Sequence, residues 1–227
     1  MNTALAFDKQ KKSWQLRWTA WQHREFFISF FGALSLFMMS LIVNFYAGTY
    51  ATLHASAAVR DIILDNVSAK DVDGIFVYGI IAFFIGTAVL LCYRPKAIPF
   101  VLNSLGLFIL IRSFFIILTH IGPSPSMIEI PLNSIINNFT FTGDLFFSAH
   151  TGMPFLLALI FWKNFLLRLI YIGTSILFGV VVLLGHFHYS IDVFAAFFIT
   201  YGIYHIALQL FKKESRLLYQ DEKYLSD

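Results

Sequence analysis

Two short segments hold the residue types that proton transfer and nucleophilic attack require. One reads Gly143-Asp144-Leu145-Phe146-Phe147-Ser148-Ala149-His150-Thr151, and the other Gly185-His186-Phe187-His188-Tyr189-Ser190-Ile191-Asp192. His188 and Asp192 are spaced i,i+4, so on a helix they share a face one turn apart. A carboxylate there accepts a hydrogen bond from one imidazole nitrogen, fixing the tautomer and raising the basicity of the other. The oriented nitrogen is suited to act as nucleophile or general base. His150, on the other segment, offers the complementary proton donor. Ser148, Thr151 and the amides of a helix start are suited to phosphate oxygens. Arg112 supplies a fixed positive charge with a fork matched to phosphate.

Simpler roles compete at each position. An ionisable residue inside an apolar span is functional by default, yet Arg112 could instead pair structurally with an acidic group. His186, His188 and Asp192 together could form a metal site, but helical residues i and i+2 point about 200° apart and do not converge easily. No metal and no cofactor is therefore expected. His205 reads as structural, and nothing in the sequence fixes where His120 and Glu129 lie.

The elements that must position these groups are helices in a membrane. The 227 residues are 58% hydrophobic and only 13% charged, and 27 of them are Phe; a soluble domain carries roughly 25% charge. Six apolar runs, near 26–48, 75–93, 100–121, 145–162, 169–185 and 189–211, approach the length that crosses a bilayer. Without water, such spans satisfy their backbone internally as helices. The expected fold is all-α, an integral membrane bundle of six transmembrane helices with both termini cytoplasmic. The orientation follows from charge. Lys9, Lys11, Lys12, Arg17, Arg24, Arg94, Lys96, Lys163, Arg168, Lys212, Lys213, Arg216 and Lys223 fall on one side, against Arg60 and Lys70 on the other. Both motifs then open on the non-cytoplasmic face, flanked by the long loops 49–74 and 122–143.

Residues 1–25 form a basic segment in which Trp14, Trp18 and Trp21 recur at helical spacing, suiting an interfacial helix. Residues 26–211 make the membrane domain and 212–227 a basic cytoplasmic tail. A secretory signal peptide is not expected. Cys92 is the single cysteine, so no intrachain disulfide can form.

With these residues in view, the chain resembles the sphingomyelin synthase branch of the type 2 phosphatidic acid phosphatase (PAP2) superfamily. That family's third motif, roughly Cys-Gly-Asp, three residues, then Ser-Gly-His-Thr, is similar to Gly143-Asp144 and Ser148-Ala149-His150-Thr151, with Ala in place of Gly. Its fourth motif, roughly His-Tyr-Thr, one residue, Asp, is similar to His188-Tyr189-Ser190-Ile191-Asp192. Arg112 followed by Gly122-Pro123 resembles the second motif loosely. The phosphatase branch's lysine-bearing first motif and its Ser-Arg pair are missing; Val181-Val182 stand where the pair would be. The resemblance implies that His188 attacks phosphorus to give a phosphohistidine, that Asp192 orients it, and that His150 protonates the departing lipid alcohol. It adds Asp144 to the substrate-binding set.

The expected function is transfer of a phosphate-bearing headgroup from a glycerophospholipid donor to a lipid-alcohol acceptor such as ceramide or diacylglycerol. A lipid phosphatase or phosphodiesterase using water at the same intermediate is the alternative. A non-enzymatic transporter is the third reading, disfavoured because the ionisable residues gather at one face. No nucleic-acid partner is expected, and the oligomeric state is open. A bacterial inner membrane is favoured; in a eukaryote the Golgi or plasma membrane would be expected, with Asn66-Val-Ser and Asn138-Phe-Thr as outer sequons.

Overall fold

The computed structural model describes residues 24–128 and 143–226, with side chains described to residue 219. The Trp-rich segment, Glu129, Pro131 and the Asn138 sequon lie outside the described residues. Among the described residues every regular element is helical: α1 (Arg24–Leu53), α2 (Asp73–Tyr93), a 3-10 turn (Pro95–Ala97), α3 (Ile98–Leu118), α4 (Ala149–Ile160), α5 (Phe165–Leu184), α6 (Ser190–Leu210) and α7 (Lys212–Ser226).

Five of these, α1, α2, α3 together with its 3-10 turn, α5 and α6, are long and apolar enough to cross a membrane. Their outer faces carry large apolar side chains in numbers that water would not tolerate: Ile85 on α2, Leu166 on α5 and Phe198 on α6 are 60%, 63% and 80% exposed. The fourth apolar run differs from the expected span. Only its 12 residues Ala149–Ile160 are helical, about 18 Å at 1.5 Å per residue, while 143–148 approach as irregular chain.

The core lies where α3, α4 and α6 meet. Phe100, Phe108, Phe147, Leu156, Leu157, Ile160, Phe161 and Ile203 are all buried there. Small residues set the approach. A Cβ on Gly152 would stand 2.7 Å from the Phe108 ring and 2.9 Å from Thr200 Oγ1, so α4 packs on α3 and α6 with no room for a side chain. By contrast α2 buries only Phe83 and Thr87, the latter 3.2 Å from the Tyr171 hydroxyl of α5.

The connections separate into two ends. At one end, Lys213 pairs with Glu25 at 3.4 Å, Lys163 stands over the Tyr219 ring and Arg94 over Phe161. At the other end, loops 54–72 and 119–128 meet the α5–α6 turn and the start of α4. Ser56 N–H donates to His120 O and Gly122 N–H to Ala57 O. A Cβ on Gly122 would lie 2.2 Å from Ser56 O, so that pairing requires glycine.

Candidate active site

The α5–α6 turn carries His188 into the bundle end. His186 takes φ 56°, the left-handed region, and reverses the chain. It is held from both sides: its Nδ1 is 2.6 Å from Ser126 Oγ, and its Nε2 is 2.9 Å from the Val67 carbonyl. Since a carbonyl only accepts, Nε2 carries a proton. Both nitrogens are thereby engaged, and His186 has none left for a metal.

Tyr189 caps α6, and Asp192 sits in its first turn. Asp192 Oδ2 accepts the Tyr189 amide at 3.0 Å and lies 3.3 Å from His188 Nδ1. The i,i+4 pair expected from the sequence is formed and buried, with side-chain exposures of 7% and 0%. Because Nδ1 faces the carboxylate, Nε2 is the nitrogen turned away from it; it has no hydrogen-bond partner among the described residues. Among the described residues Asp192 Oδ1 is likewise buried without a partner.

His150 lies in the first turn of α4. Its ring stacks on Phe76 of α2 with centroids 4.3 Å apart at 25°, and meets Phe178 of α5 edge-on at 6.1 Å. Phe76 also contacts Phe187, at 4.3 Å. The two motif segments are joined directly by the Ser148 amide, which donates to the Asp192 carbonyl at 3.1 Å.

Ser148 and Thr151, expected from the sequence to bind phosphate oxygens, bond to each other at the start of α4. Ser148 is the N-cap of α4, its Oγ accepting from the Thr151 amide at 3.4 Å and the Thr151 hydroxyl at 3.3 Å. Both are fully buried and turned on each other. With the Thr151 amide capped, the Ala149 and His150 amides are the first two of α4, and neither has an acceptor among the described residues.

Arg112 also has its side chain committed. Nε donates to the Phe147 carbonyl at 2.6 Å and Nη2 to the Asp144 carbonyl at 3.2 Å. Nη1 lies 2.6 Å from Asp144 Oδ1, an ion pair rather than an aligned hydrogen bond. Fork and carboxylate together hold residues 144–147 in their irregular path beside α3. Gly143 completes the clamp, for its Cβ would fall 2.5 Å from Ala51 O of α1.

Sequence reasoning missed two residues here. The Tyr189 hydroxyl donates to Gly122 O at 2.8 Å and accepts from Val59 N–H at 3.3 Å, bolting both loops to the segment that carries His188. Asp61, in loop 54–72, accepts from the Ser190 amide and hydroxyl, both at 2.7 Å, and from the Ile63 and Leu64 amides at 2.8 and 3.1 Å. Burial pushes the Asp61 carboxyl up, but these donors, the Ser190 hydroxyl foremost, outweigh it and hold the carboxyl below its ordinary range. The one readable signal for Asp61 was an acidic residue in a loop facing the motif end.

A family model described as PAP2 superfamily, C-terminal, matches residues 142–209. The matched stretch begins at the Arg112-clamped segment and ends near the close of α6, so it spans both histidine motifs. It supports the PAP2 superfamily, a group of phosphatases and phosphotransferases, for this part of the chain. No curated protein and no solved structure matches the chain.

Proposed function

We propose that this protein is a membrane lipid phosphotransferase that moves a phosphate-bearing headgroup from a glycerophospholipid to a lipid alcohol through a phosphohistidine on His188. The observation that carries the reading is the buried pair of His188 Nδ1 and Asp192 Oδ2 at 3.3 Å, with Nε2 free of partners among the described residues. In the first step the Nε2 lone pair attacks the donor phosphorus. The bond from phosphorus to the diacylglycerol oxygen breaks, and His150 gives that oxygen a proton. In the second step the acceptor hydroxyl attacks phosphorus, His150 takes its proton back, and the P–N electron pair returns to His188.

The electrostatics favour a phosphodiester over a phosphomonoester. Arg112 is matched by Asp144, and the sequence offers no other Lys or Arg from 97 to 162. A monoester dianion would find Arg112 already matched by Asp144. A diester carries a single charge, which the Ala149 and His150 amides at the start of α4 can meet. Arg112, Asp144, Ser148 and Thr151 serve in this reading by holding those amides in place. The six-span arrangement, with α4 as the short fourth crossing, both termini cytoplasmic and the site on the opposite face, rests on the distribution of Lys and Arg.

Lipid mass spectrometry tests the reading. Purified protein and its His188→Ala variant are incubated with mixed phospholipids, ceramide and diacylglycerol. A new phospholipid formed only by the unmutated protein is expected. Released phosphate or phospho-headgroup without a new lipid would replace transfer by hydrolysis. Wild-type activity in His188→Ala would refute the mechanism.

A further inference from the structure

The sequence motifs account for His188 and Asp192 but not for what fixes the chain that carries them. His188 lies outside α6, so its ring is aimed only as well as the α5–α6 turn is held. Ser190 is the first helical residue of α6, and its amide is one of the donors that a helix start leaves unpaired. Asp61 supplies the missing acceptor from a loop more than a hundred residues earlier, through Oδ2, and takes the Ser190 hydroxyl on the same oxygen. Its Oδ1 is anchored in its own loop by the Ile63 and Leu64 amides. Asp61 is 9% exposed and Asp192 fully buried, so two buried carboxylates meet the positive end of α6. Asp192 turns inward to His188 and Asp61 turns outward to the loop.

Other ties reach the same turn. Lys70 N–H donates to Leu184 O and Ile128 N–H to Gly185 O, but these hold the end of α5 rather than the residues after His188. Tyr189 grips both loops through its hydroxyl, at the far end of a long side chain. Asp61 holds the α6 start itself with two short bonds at Ser190, beside the single bond from the Ser148 amide to the Asp192 carbonyl.

We propose that Asp61 is a positioning residue for the nucleophile: through Ser190 it sets the register of the α6 start, and so the alignment of His188 against Asp192. The proposal rests on the phosphotransfer reading above. Asp61 touches neither His188 nor the reacting atoms; its effect passes through the Ser190 backbone and hydroxyl.

The test compares steady-state kinetics of the unmutated protein with Asp61→Asn, Ser190→Ala, Ser190→Thr and His188→Ala. All are purified as full chains and assayed by mass spectrometry on micelles of mixed phospholipids with ceramide and diacylglycerol. Asp61→Asn turns an amide N–H towards donors or leaves one donor unpaired, and kcat should fall about tenfold, the usual scale for losing a partner that orients a reactive imidazole. KM should stay within about twofold of the unmutated value. Ser190→Ala keeps the Asp61 bonds to Ile63 and Leu64 and removes only the cross-link hydroxyl, so it should lower kcat by a smaller factor without loss of folded protein. Ser190→Thr, which restores a hydroxyl, should restore kcat. The Asp61→Asn and Ser190→Ala effects should be less than additive when combined.

Asp61→Asn and Ser190→Ala with unaltered kcat per folded molecule, beside an inactive His188→Ala, would overturn the positioning role and leave the phosphotransfer reading standing. An inactive unmutated protein, or a fully active His188→Ala, would overturn that reading and this proposal with it.

Discussion

Replacing Arg112 with methionine separates a clamp from a phosphate ligand. The side chain is 5% exposed and its partner Asp144 16%. The substitution removes one buried ion pair and two bonds from a charged donor to the Phe147 and Asp144 carbonyls. Breaking a buried pair from one side costs about 3–5 kcal/mol, because the remaining charge stays buried without compensation. Each carbonyl bond to a charged donor adds about 1.5–3 kcal/mol, although the terms overlap, since all three contacts hold one short segment. Taking about 4 kcal/mol as the total, and roughly 2–4 °C per kcal/mol for a chain of this size, the unfolding midpoint in detergent should fall on the order of 10 °C. The double variant Arg112→Met/Asp144→Leu removes the stranded carboxylate and should recover at least about 1 kcal/mol relative to Arg112→Met. Thermal unfolding of the purified variants, followed by loss of the monodisperse peak, reads both effects. If Arg112→Met keeps the unmutated midpoint and loses only lipid turnover, the clamp is refuted and the guanidinium serves substrate.

Further outcomes follow from the same contacts. Ser148→Ala removes the α4 N-cap and should cost about 1 kcal/mol in thermal unfolding, with KM little changed because the hydroxyl faces Thr151. Phe76→Ala strips the ring stacked on His150 and, on the proposed mechanism, should lower kcat several-fold, roughly, in the lipid assay by loosening the His150 ring. The Asp61 carboxyl is held below its ordinary range, so its stabilisation is present above the unfolded value of about 3.9 and is lost as pH falls through the lower folded value. Unfolding midpoints should therefore drop below about pH 4 in the unmutated protein, and Asp61→Asn should lessen that slope.

Much of the helical architecture was legible because hydropathy is a one-dimensional property: runs such as Phe26–Gly48 and Tyr189–Phe211 report their environment without reference to the rest of the chain. In the fourth run the helix is shorter than the apolar stretch, for a physical reason. Leu145, Phe146 and Phe147 are as apolar as any helix interior, yet Arg112 and the close approach of Gly143 to α1 hold them out of helical geometry. Those contacts join positions far apart in sequence, and no local pattern reports them. The need for a partner to Arg112 was readable as the cost of a charge in an apolar span, but not its identity as Asp144. The His188–Asp192 pair was legible because its spacing is local to one helix start. Asp61 was not, since its role depends on a loop folding across the end of α6, and neither was the use of Ser148 and Thr151 as partners for each other.

The central claim is a covalent phosphoryl intermediate on His188, and trapping it tests that claim most directly. Purified protein is mixed with phospholipid micelles lacking acceptor, quenched at alkaline pH to preserve phosphoramidates, digested and mapped by mass spectrometry. The account predicts a phospho-headgroup adduct on the peptide holding His188, absent from His188→Ala and discharged when ceramide or diacylglycerol is added. Lipid turnover with no adduct at His188, and with His188→Ala as active as the unmutated protein, would contradict it.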